Sequence, residues 1–153
     1  MDAWTYIWLI AAGLPLAICI FFYFRSQHRR KVAIRALAVR FGFRYLGSAL
    51  PRILTLSGTP LGRATLWWNV MFGERNGIRV IAFDCRFGSR CRRTVIAAEA
   101  STDVFGATTF NTDLAVGRSG DWMILYQRNP LSLIEPSLMS VAEIEAHLNA
   151  IAS

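Results

Sequence analysis

Residues 3–24 run for 22 positions without a formal charge, AWTYIWLIAAGLPLAICIFFYF. A helix rising about 1.5 Å per residue makes such a run about 33 Å long, enough for a bilayer's hydrocarbon core of about 30 Å. Trp4, Tyr6 and Trp8 stand near one end and Tyr23 near the other, where amphipathic rings favour the headgroup level. Pro15 removes one rung of the hydrogen-bond ladder, which membrane helices tolerate when the freed carbonyl finds a partner. A buried helix of a soluble fold is the alternative, and uninterrupted apolarity over this length speaks against it. A cleaved signal peptide wants a basic leader, a shorter apolar core and small residues at the cut. Here Asp2 leads and the bulky Phe21, Phe22, Tyr23 and Phe24 close the run. The expectation is a retained transmembrane signal-anchor over residues 1–25.

Directly after it come Arg25, Arg29, Arg30 and Lys31, with Arg35 close behind. Short basic flanks stay in the cytoplasm, so the N-terminus is expected outside and residues 25–153 inside. These five cations are the candidate membrane-surface contacts, each drawn to anionic headgroups by about 1 kcal/mol. The charge is unevenly spread: residues 25–93 carry +13 and residues 94–153 carry −5, within a total of +7. A solvated face of the fold accounts equally well for Arg29 to Arg35, and is the preferred reading for the arginines from Arg52 onward.

The chain of 153 residues suits one ordinary domain beyond the anchor. With 54% hydrophobic residues, disorder throughout is excluded. Cys19 lies in the apolar run, which leaves Cys85 and Cys91 beyond it. Cytoplasmic thiols stay reduced, and their spacing matches no common zinc signature, so neither a structural disulfide nor a metal site is expected. Arg90, Arg92 and Arg93 around Cys91 would lower a thiol pKa.

Residues 27–41 read as a basic juxtamembrane helix. Ala33, Leu37 and Phe41 recur at i+4 with Ile34 beside them, and Gly42 supplies the end. Strand patterns follow at residues 53–57, 64–72, 78–87, 93–98, 112–116 and 121–126, about five being expected to form one antiparallel sheet. Asn76-Gly77 provides the tight hairpin between the second and third. Residues 99–109 and 127–136 read as loop. The last helix opens with Ser140 and Glu143 at capping-box spacing, Met139 and Ile144 as a hydrophobic staple, and Val141, Ile144, Leu148 and Ile151 as a core stripe.

No phosphate loop, nucleophile elbow or other convergent catalytic set is present. His28 and His147 are expected in solvent, the latter on the polar side of the last helix. Asp84, the one carboxylate inside an apolar strand, is expected to accept from Arg79, Arg86 or a neighbouring strand's arginine. A thiol-based sensor or enzyme using Cys91 and Asp84 is one alternative. Tethered nucleic-acid binding through Trp67, Trp68, Phe72, Phe83 and Phe87 is another, for which no named motif exists.

Gly42, Phe43 and Tyr45 form a GF-x-Y pattern, Asn69, Val70, Gly73 and Gly77 an NV-x-x-G-x-x-x-G pattern, and Phe83-Asp84 an FD pair. Over residues 41–99 this resembles a group of uncharacterised bacterial single-pass membrane-anchored proteins. Cys85 replaces the aromatic residue expected after the FD pair, and the glycine turn beyond it is shortened. The resemblance implies a tethered domain and brings no activity. The expected architecture is therefore α+β: an inner-membrane anchor (1–25), a basic helix and connection (26–52), and a cytoplasmic domain (53–153). The expected function is non-enzymatic binding of a protein partner or anionic lipid headgroups, with no cofactor and no nucleic acid.

Overall fold

A computed structural model describes residues 3–54, 56, 59–87, 91–99, 114–127 and 138–151; the side chains of residues 3, 5–12, 60, 87 and 91 are outside that description. Two compact units result, Met1–Ala33 and Ile34–Ser153. The first is helical. α1 runs unbroken over Ala3–Arg40, with Pro15 inside it, so the anchor and the basic helix expected separately are one element. Among the described residues, no helix is long and apolar enough to cross a membrane. Before Arg25, the described side chains of α1 are Trp4 and those of residues 13–24, all uncharged. The expected span is thus not established by the fold.

α1 ends where glycine allows it. Gly42 has φ +70°, and the Phe43 N–H reaches the Ala38 carbonyl at 2.7 Å while the Gly42 N–H reaches that of Val39 at 3.1 Å. These are the two bonds of a Schellman motif.

The second unit is an α+β fold with a six-stranded antiparallel sheet, where about five strands were expected. The strands are β1 (Arg44–Gly47), β2 (Leu66–Arg75), β3 (Ile78–Phe87), β4 (Cys91–Glu99), β5 (Leu114–Ser119) and β6 (Trp122–Gln127), followed by α2 (Val141–Ala150). Their order across the sheet is β1-β2-β3-β4-β6-β5. The β2–β4 meander is as expected, and Asn76 and Gly77 at φ 50° and 79° make its tight turn. Two differences stand out. β1, four residues long, is too short to show a period. The described residues of 53–57 pair with no strand; Leu54 and Leu56 are buried there beside a 3-10 turn at Pro60–Arg63. Pro51 and Pro60 lack the N–H a ladder needs, so the alternation there reports burial under a loop. The loops expected at 99–109 and 127–136 lie largely outside the described residues.

Both faces of the sheet are buried. One, carrying Met71, Val80, Ala82, Ile96, Ala98 and Leu125, packs against Ile34, Leu37 and Ala38 of α1 and Ile144 and Leu148 of α2. The basic helix therefore packs on the sheet through residues 34–38. The other face carries Val70, Ile81, Phe83, Val95, Ala97 and Ile124 under Leu54, Leu56 and Leu61. α2 keeps every expected terminal device: the Ser140 hydroxyl accepts from the Glu143 N–H, the Glu143 carboxylate accepts from the Ser140 N–H, and Met139 and Ile144 are both buried. Arg40 and Glu145 form an ion pair between α1 and α2, exposed enough to contribute little.

Gly73 of β2 faces Phe43 so closely that an added Cβ would overlap the edge of the phenyl ring. Covering a strand glycine with an aromatic ring restores the burial that glycine cannot supply. Gly73→Ala is expected to cost about 1–3 kcal/mol by overpacking. Denaturant titration should show most of that cost vanishing when Phe43→Leu is already present; equal costs in both backgrounds would refute the contact.

Candidate functional site

The five candidate membrane contacts all fall on α1. Arg25, Arg29, Lys31 and Arg35 are exposed and Arg30 is half-buried. Arg25 and Arg29 share one groove with Phe22 and Ser26, as positions three and four apart must on a helix. Lys31 and Arg35 are one turn apart elsewhere on the same surface.

Asp84 is the centre of a polar chain inside the second unit. Its side chain is fully buried. One carboxylate oxygen accepts from Asn69 Nδ2 at 2.9 Å and the other from Thr94 Oγ1 at 2.8 Å. Asn69 Oδ1 in turn accepts from the Tyr45 hydroxyl at 3.0 Å, and Thr94 Oγ1 accepts from the Met139 N–H at 3.1 Å. Every donor in the two arms is therefore aimed toward the carboxylate. The expected arginine acceptance from Arg79 is replaced: Arg79 pairs with Glu99, because alternation along β3 puts it on the opposite face from Asp84.

A bulge in β2 makes this chain possible. Trp68 pairs with Asp84 and Met71 with Ala82, so Asn69 and Val70 together stand opposite Phe83. Asn69 takes φ 53°, a left-handed conformation that asparagine tolerates better than most residues. In a regular strand Asn69 would face away from Asp84; the extra residue turns it back. Burial, and secondarily the charge of Asp84, raise the Tyr45 pKa above its ordinary value, with Arg35 opposing. The phenol accordingly keeps its proton and its role as donor. The patterns GF-x-Y, NV-x-x-G and FD thus meet in space: Phe43 covers Gly73, and Tyr45, Asn69 and Asp84 form one hydrogen-bonded line. Thr94 belongs to that line and carried no signal in the sequence, where it reads as an ordinary strand residue.

The remaining candidates do not assemble into a reactive centre among the described residues. Cys85 is buried opposite Trp67, and the Cys91 side chain lies outside the description. No three His, Cys, Asp or Glu side chains are grouped to hold a metal among the described residues. Trp67, Phe72 and Phe83 belong to one face's core while Trp68 projects from the other, so they offer no common stacking surface. The Phe87 side chain is also outside the description.

His147 departs from its expected solvent position. It is half-buried and its Nδ1 is enclosed without a hydrogen-bond partner. Three residues after Ile144 and four before Ile151, it flanks a stripe whose buried arc is wider than the apolar residues alone suggest. Burial lowers its pKa, with Glu143 opposing weakly. The unfolded chain then takes up a proton near pH 6.5 while the folded one resists. Stability is full above that pH and falls as pH drops toward the depressed folded pKa. His147→Gln is expected to flatten the fall in stability below about pH 6.5; an unchanged slope would refute the assignment.

A separate cleft of about 370 Å³ opens on the second sheet face, lined by Leu50, Pro51, Arg52, Leu54, Leu61 and Trp67 among others. Comparison of the chain with protein-family models, with curated proteins and with solved structures gives no match.

Proposed function

We propose that this chain is a single-pass membrane-tethered binding module. Its α+β unit sits on the cytoplasmic side, and Arg25, Arg29, Arg30, Lys31 and Arg35 meet anionic headgroups. The observation that carries the reading is the surface of α1 after Gly13. Leu14, Leu16, Ile18, Ile20, Phe21, Phe22 and Phe24 are each about half exposed or more, from 47% to 65%. An apolar surface on all sides of a helix calls for cover by protein or lipid, and here it suits lipid. The uncharged run continues to Ala3 in the sequence, giving the length a span requires. The resemblance to tethered bacterial proteins points the same way, toward the inner membrane.

A non-enzymatic role is supported by the state of Asp84, which is enclosed and engaged by Asn69 and Thr94. A protein partner or the headgroups themselves are the proposed ligands, and no cofactor is invoked. The test is alkaline carbonate washing of membranes carrying the full chain, together with a phosphatase fused after Ser153. Retention in the pellet and an inactive phosphatase are expected. Release into the supernatant would overturn the tether, and active phosphatase would overturn the orientation.

A further inference from the structure

We propose that the cleft formed by the segment after β1 binds a single-chain amphiphile with an anionic head, of the fatty-acid type. The floor of the cleft is core: Leu54 and Leu61 are buried against the second sheet face. Leu50, Pro51 and Trp67 form its walls. A methylene needs about as much room as a water molecule, about 30 Å³, so 370 Å³ takes roughly a dozen carbons of an extended or curled chain. The size lies within the range of small-molecule sites.

Charge selects the head group. Arg52 lines the cleft and is exposed, and Arg63, also exposed, follows Gly62 of the lining. Between Asp2 and Glu74 the chain contains no acidic residue, so nothing in the segment that builds the cleft competes for these guanidinium groups. An apolar trough with a cationic rim matches a carboxylate at the end of a hydrocarbon chain, since guanidinium–carboxylate contacts are strong and oriented. The inference does not rest on the membrane reading, because the cleft belongs wholly to the second unit.

The experiment uses the full chain in phosphatidylcholine nanodiscs with a twelve-carbon fatty acid carrying a terminal diazirine. After irradiation and trypsin digestion, labelling is expected within residues 45–63 (cut at position 52 in the wild type, one peptide in Arg52→Glu) and 64–75, and excess laurate should compete it away. Arg52→Glu should reduce this labelling about tenfold, and Arg52→Lys should recover most of it. The matching fatty-alcohol probe should label the wild type and Arg52→Glu alike, which also shows that the charge variant is folded. Leu50→Trp, which adds bulk to a wall of the cleft, should lose both probes. Labelling confined to residues 1–25, or equal acid labelling of wild type, Arg52→Glu and Leu50→Trp, would overturn the proposal.

Discussion

Ile144→Asp is expected to abolish the cooperative thermal transition of the α+β unit. Ile144 is 1% exposed and belongs to the cluster shared by Leu37 of α1, Ala98 of β4 and Leu148 of α2. Removing its burial costs about 2–3 kcal/mol. A carboxylate in its place, with no cation in that cluster, adds several kcal/mol more or forces the helix off the sheet. The sum approaches a domain's whole stability of about 5–15 kcal/mol. Near-UV circular dichroism of the full chain would follow the melt through the tryptophans of β2 and β6. Ile144→Val, which keeps the apolar contact, should shift the midpoint by only about 0.5–1.5 kcal/mol. An unaltered transition in the aspartate variant would remove α2 from the core.

The second large effect is expected at Asp84. Asp84→Ala leaves Asn69 Nδ2 and Thr94 Oγ1 without their acceptor inside the protein, a loss of about 3–5 kcal/mol. Asp84→Asn is the more informative change. It keeps the shape and removes the charge, but one of its two arms becomes a donor. Asn69 can flip to receive it only if the Tyr45 hydroxyl, now a donor to the Asn69 carbonyl oxygen, turns to accept and its own proton loses that acceptor. Thr94 can turn its proton away only by abandoning the carboxylate side. A cost of about 1–3 kcal/mol is therefore expected from the amide alone. Denaturant titration of both variants checks the order. If asparagine matches the wild type, the donors are not all directed at a carboxylate as described.

The parts of this fold that could be read from the chain are those encoded within a few residues. Asn76-Gly77 demands positive φ and makes a hairpin. Ser140 and Glu143 cap a helix whoever its neighbours are, and Gly42 ends α1 by the same local logic. The parts that could not be read depend on distant partners. β1 exists as a strand because β2 is beside it, and four residues hold too few alternations to announce it. The β2 bulge needs no special residue except Asn69, whose purpose is visible only once Asp84 is opposite. Nothing local says that β6, not β5, joins β4. His147 misled because a helical wheel separates apolar from polar and takes no account of how far the surrounding sheet reaches. For the candidate sites, the basic residues of α1 and Asp84 were visible, whereas Thr94 and the cleft were not.

The line through Asp84 also orders events in time. Tyr45, Asn69, Asp84 and Thr94 are all translated before the Met139 N–H that completes the arm through Thr94, which follows its acceptor by 45 residues. Until α2 leaves the ribosome, that sheet face is covered only through Ile34, Leu37 and Ala38 of α1, and the carboxylate lacks part of its support. The nascent unit must therefore wait, half-assembled and adhesive, for its final helix, and a growing chain at that stage is the form a chaperone would hold.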